Sequence, residues 1–183
     1  MEENLKDEKE KLIKDKIIKQ EIQEMMQLKG IKQMVWDTLT LEKGYKIEDI
    51  IVDPQFNIEI DKKPISVSID FAVEINSLKT IIIRCTSSAL ESWERYIIAF
   101  SRAVEDYQIP FAVITDGENA KILDTINNKL LGNKLSELFN RETALTLIKD
   151  YKRISYNPER LEREKRIIYA FEAIKCPVVK PEK

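Results

Sequence analysis

Residues 80–117 read "TIIIRCTSSALESWERYIIAFSRAVEDYQIPFAVITDG", and the changes of period within this stretch decide the fold. The β-branched run from Thr80 to Thr86 predicts a strand. Leu90, Trp93, Ile97, Phe100, Val104 and Tyr107 then recur at helical spacing, and "IPFAVITDG" returns to a strand that ends in a turn. Ser88, followed three residues later by Glu91, predicts a capping box at the helix start. A strand, a crossover helix and a further strand lie parallel and adjacent in one sheet.

Upstream, "IIVDPQFNIEI", "PISVSIDFAVEI" and "TIIIRCT" are separated by Asp61 to Pro64 and by Asn76 to Lys79, which predicts an antiparallel meander. In the middle run Ile65, Val67, Ile69, Phe71, Val73 and Ile75 share one face, expected to be the core, and Ser66, Ser68, Asp70, Ala72 and Glu74 share the other. Downstream, "AKILDTI" reads as another strand and "NN" as a turn after it. The sheet is therefore mixed, and the fold class is α/β with helices flanking it.

The ends are helical. From Met1 to Lys29 there is no glycine or proline, and Leu5, Leu12, Ile13, Ile17, Ile18, Ile22, Met25 and Met26 predict a long amphipathic helix whose polar face pairs Glu2 with Lys6, Glu10 with Lys14 and Asp15 with Lys19. Gly30 is expected to interrupt it, with a second helical stretch over Ile31 to Leu41 stopped at Gly44. Arg141 opens one C-terminal helix. Asn157 as cap and Pro158 at the first position open a second, with Leu161, Ile167, Ile168, Phe171 and Ile174 inside. The expected organisation is a helical arm at 1–29, a core at 30–140 and a helical extension at 141–183 packed on that core.

A chain of 183 residues is long enough to bury a sizeable core, and 30 basic against 32 acidic residues leave a net charge of −2. No global field draws it to nucleic acid or an anionic membrane, so such binding needs a local patch. The candidate patch is the tail from Arg141, with eleven basic residues against seven acidic. The absence of histidine and of any C-x-x-C pair excludes imidazole catalysis and the ordinary zinc sites. No apolar stretch approaches the ~18 residues of a membrane span, and a reducing, cytoplasmic setting is the expectation.

A helix ending in "GY", two strands with an aspartate near the end of the second, a strand entering a helix, and then "PFAVITDG" followed by "AKILDT" together resemble the N-terminal nuclease-type domain of type I restriction enzyme R subunits. That domain belongs to the restriction-endonuclease-like, or PD-(D/E)XK, superfamily. The resemblance covers Ile31 to Gly132. It implies that an aspartate on the second strand, with a glutamate and a lysine two residues apart on the third, holds a divalent metal for phosphodiester cleavage. Asp70 matches the aspartate, whereas Arg84 stands in place of the glutamate and Thr86 in place of the lysine. The site is thus expected to be vestigial, with an Arg84–Asp70 ion pair where active relatives hold a cation. Displaced acids that could restore it are Glu91, Glu94 and Asp116, whose plainer roles are a cap, a surface charge and a turn.

Cys85 shares parity with Ile81 and Ile83 and is expected in the core, while Cys176 is expected to be exposed. The leading functional expectation is a non-hydrolytic nuclease-like domain that binds. It needs no cofactor, and its partner is a protein, or a second copy, taken by the N-terminal helix; the other ligand class is DNA, held through Arg84, Arg95, Lys152 and Arg153. The alternative is a restriction-type endonuclease using magnesium at Asp70 with a displaced carboxylate.

Overall fold

The computed structural model describes residues 2–174, and among these the side chains of all but 2–12, 15 and 174. The expectations for Cys176, Leu5, Leu12 and Ile174, and for the pairs Glu2–Lys6, Glu10–Lys14 and Asp15–Lys19, lie outside the described residues.

Helix α1 runs unbroken over Glu2–Asp37 and passes into a π-helical turn at Thr38–Glu42. Gly30 does not interrupt it. There is open space where a Cβ would stand at Gly30, so the residue costs about 1 kcal/mol of helix propensity without imposing a turn. The stop comes at Gly44, at φ +67°. Ile31, Val35 and Leu39 are buried against the sheet, whereas Ile13, Ile17, Ile18, Ile22, Met25 and Met26 are 48–71% exposed.

The two upstream runs each divide in two, giving β1 (Ile50–Val52), β2 (Gln55–Ile60), β3 (Lys63–Ser68) and β4 (Phe71–Ile75), followed by β5 (Leu78–Cys85). Asp53 turns the chain at φ +48° and Pro54 has no amide to give a ladder, so the first run breaks there. The second breaks at Ile69–Asp70, and this corrects the single-face reading. β2 and β3 form a separate hairpin, while β4 joins the main sheet between β1 and β5. Val67 and Ile69 consequently pack on one side of the molecule and Phe71, Val73 and Ile75 on the other.

The rest of the chain supplies α2 (Glu91–Ala103), β6 (Phe111–Thr115), β7 (Asn119–Asp124), β8 (Lys129–Lys134), α3 (Arg141–Ile148) and α4 (Pro158–Ile174). The sheet order is β1-β4-β5-β6-β7-β8, with β5 and β6 parallel and the other neighbours antiparallel. β8 carries no alternating pattern, and its Leu130 and Leu131 are exposed. The expected capping box is absent: α2 starts at Glu91 with Leu90 at its N-cap and no side-chain cap. Asn157 does cap α4, its Oδ1 accepting from the Glu159 amide at 2.8 Å.

β5 is the centre of the core. Ile81, Ile83 and Cys85 face α1 and α3, while Ile82 faces α2 with Tyr96, Ile97 and Phe100, which is why the run reads as continuously apolar. α4 covers the outer side of α2. Its Ile168 is fully buried, and its buried Glu164 receives Arg95 at 2.6 Å and Arg102 at 3.6 Å.

Two glycines separate these constraints by experiment. Gly30→Ala is expected to raise the unfolding free energy by about 0.5–1 kcal/mol. Gly117→Ala is expected to lower it, because Gly117 sits at φ +103° and a Cβ there would stand 2.8 Å from the Met34 sulfur. Urea titration reads both, and a destabilised Gly30→Ala would mean that the helix needs its glycine.

Candidate functional site

The breaks at Asp53 and at Ile69–Asp70, on either side of the β2–β3 hairpin, set the site's geometry. β4 pairs with β5 so that Phe71 lies opposite Ile83, which brings Asp70, one residue earlier, beside the end of β5. The Cys85 amide donates to Asp70 Oδ2 at 2.8 Å. Arg84 Nη1 lies 3.5 Å from the same oxygen, the pair anticipated from the sequence. Lys32, which sequence reading did not single out, reaches in from α1 with its Nζ 3.0 Å from Asp70 Oδ1 and 2.6 Å from Asp53 Oδ1. The Asp53 amide also donates to the Asp70 carbonyl at 3.0 Å. The Asp70 side chain is only 6% exposed, so these partners replace its water.

The charges are held firmly. Burial works against the Lys32 ammonium, but hydrogen bonds to Asp53 and Asp70 and their charges outweigh it, so its pKa lies above the ordinary lysine value. The Arg84 guanidinium lies 4.5 Å over the Trp93 ring and 6.0 Å from that of Tyr96. Its buried Nε has no hydrogen-bond acceptor among the described residues. Ser88, instead of capping α2, accepts from Trp93 Nε1 at 2.9 Å and shares a 2.8 Å hydrogen bond with Thr86. Thr86 Oγ1 in turn accepts from the Ser88 amide at 3.0 Å. Burial pushes the Cys85 thiol far up, and Asp70 adds to the effect, so the buried sulfur is a core atom and not a thiolate.

The candidate displaced acids are engaged elsewhere. Glu94 lies 2.7 Å and Glu91 3.5 Å from Lys121. Asp116 accepts from the amides of Glu118 and Asn119 and from the Asn119 side chain, as a turn aspartate does. A cleft of about 410 Å³ opens between α1, at Glu21, Glu24 and Leu28, and the β5–α2 turn, at Thr86, Ser87 and Ser88.

A family model described as the type I restriction enzyme R protein N terminus (HSDR_N) matches residues 29–138. The chain belongs to this family. No match was found among curated proteins or among solved structures. The matched span runs from the last quarter of α1 to just beyond the last strand, so it contains Lys32, Asp53, Asp70, Arg84 and Thr86 and leaves out the exposed arm, α3 and α4. No helix among the described residues is long and apolar enough to cross a membrane.

The four basic residues considered for DNA are scattered, with Arg84 and Arg95 inside the matched span and Lys152 and Arg153 beyond it. Arg84 pairs with Asp70, and Arg95 is 2.6 Å from Glu164. Arg153 donates to the Ser77 carbonyl at 2.9 Å and lies 5.2 Å over Tyr107, while its neighbour Lys152 is exposed. Lys32 and Asp53 were missed because nothing local marks them. The one available signal is that Lys32 directly follows Ile31, at the border of the buried stripe.

Asp70→Ala strips a hydrogen-bond acceptor from Cys85 and a counter-charge from two cations. It is expected to destabilise the fold by about 3 kcal/mol, the scale of a broken buried pair. Arg84→Met is expected to cost less, since Lys32 still compensates Asp70. Chemical denaturation of both variants checks this, and an unchanged midpoint for Asp70→Ala would deny Asp70 its structural role.

Proposed function

We propose that this restriction-related, nuclease-like domain is non-hydrolytic and works by binding a protein partner through the exposed arm of α1. The observation that carries the reading is the engagement of Asp70 by Lys32, Arg84 and the Cys85 amide. Metal-assisted hydrolysis requires two or more hard oxygen ligands converging within ~2.0–2.6 Å of one ion. Here both Asp70 oxygens face cationic side chains, and the positions that the resemblance assigns to a glutamate and a lysine hold Arg84 and Thr86. A divalent ion does not fit this arrangement without displacing a resident cation. Among the described residues no three acidic or cysteine side chains are grouped to hold one.

Protein is favoured over DNA by the same bookkeeping of charge. Phosphate contacts dominate DNA affinity, and three of the four basic candidates are committed to partners within the fold. The arm offers the complementary feature, six large apolar side chains that the domain's own described surface leaves at least 48% exposed.

Purified protein is expected to leave supercoiled plasmid intact with magnesium or manganese, and Asp70→Ala is expected to behave identically. Cleavage by the wild type that disappears in Asp70→Ala would sink the reading in favour of a nuclease. Anisotropy of labelled single- and double-stranded DNA is expected to stay flat at low salt; salt-dependent binding that weakens in Arg84→Ala would put nucleic acid in the partner's place. Light scattering on the wild type and an Ile17→Asp/Ile22→Asp variant separates two kinds of protein partner. A smaller mass for the variant identifies a second copy, and equal masses point to a different protein.

A further inference from the structure

Lys32 occupies a position unlike that of a surface lysine. Its Nζ stands 2.6 Å from one carboxylate and 3.0 Å from another, and those carboxylates come from separate breaks in the chain, one before β2 and one before β4. Asp53 reaches its place through a backbone at φ +48°, a conformation that aspartate tolerates better than most residues, and its amide ties it to the Asp70 carbonyl. Asp53 is 59% exposed and Asp70 6% exposed, so the ammonium sits at the boundary between solvent and core. Two carboxylates from adjoining backbone turns, converging on one positive centre, are the inner half of a divalent-cation site, which water commonly completes.

We infer that Lys32 is a covalently attached substitute for a cation, and that Asp53 and Asp70 form a two-carboxylate site which the lysine keeps filled. The inference rests on the non-hydrolytic reading and explains it more closely. Arg84 alone would leave the buried Asp70 Oδ1 without a cationic partner, whereas Lys32 reaches that oxygen and the Asp53 carboxylate at once. It also reassigns part of the site, because Asp53 has no counterpart among the aspartate, glutamate and lysine positions that the resemblance implies. Removing the lysine's charge while keeping its stem leaves the two carboxylates repelling each other, and they then take a metal ion from solution.

The test uses the full chain with Lys32→Met, and Lys32→Gln as a second variant that keeps N–H donors and removes the charge. Manganese is the probe, read by the loss of the free-ion paramagnetic signal and by the shift in melting temperature. Either variant is expected to bind manganese about tenfold or more tightly than the wild type, in line with the removal of a like charge from the site. Manganese should raise the melting temperature of the variants and not of the wild type. Adding Asp53→Asn to either variant should abolish the gain. If both variants bind manganese no better than the wild type, or if the gain survives Asp53→Asn, the inference is overturned. Neither outcome depends on cleavage: a wild type that cuts plasmid overturns the non-hydrolytic reading, and variants that fail to gain manganese overturn only the role given to Lys32.

Discussion

A carboxylate taken out of water must find its counter-charge inside the protein, and Asp70 draws its own from two directions. Lys32 comes from the helix on one face of the sheet, and Arg84 comes from the central strand, steadied by an aromatic face of α2. The pairing is therefore a tie between three elements. With Asp70 neutral the cluster would hold two cations against Asp53 alone; with either cation missing, a buried acid would be left partly uncompensated. Where the resemblance implies an ion, the charge balance here is closed by side chains.

How far the sequence discloses this arrangement follows the range of each interaction. The α2 crossover and the parallel β5–β6 pair are legible because their signals are local: helical spacing from Leu90 to Tyr107, and a buried run on each side. The Arg84–Asp70 pair is legible because both residues fall at the motif positions that the resemblance marks, Asp70 just before β4 and Arg84 near the end of the neighbouring β5. The break at Ile69–Asp70 is not, since "SVSIDFAVEI" alternates without interruption and only the departure of β2 and β3 into their own hairpin reverses the faces. Gly30 misleads in the opposite sense. A glycine signals a possible stop, and packing of Leu28, Ile31 and Val35 against the body overrides that signal.

Ser88 shows how a local motif yields to a tertiary one. Its spacing to Glu91 fits a capping box, yet its hydroxyl is taken by Trp93 and Thr86, and the helix begins with no side-chain cap. Trp93 is thereby held where the Arg84 guanidinium can lie across it. The helix gives up a cap and the site gains a fixed cation, a trade that no short sequence window reveals. Lys32 and Asp53 are hidden for a related reason, for they lie 21 residues apart and meet only because α1 crosses the end of β1.

The continuity of α1 through Gly30 has a mechanical side. At ~1.5 Å per residue, Ile13 stands about 28 Å along the same rod from Lys32. Such a rod acts as a lever whose short end is fastened to Asp53 and Asp70 and whose long end carries the exposed isoleucines and methionines. A sideways displacement of about 3 Å at Ile13 corresponds to a tilt of about 6° over that length. Whatever grips the far end of the helix thus applies torque at its packed end, where Ile31, Val35 and Leu39 are buried on the sheet and Lys32 joins Asp53 and Asp70.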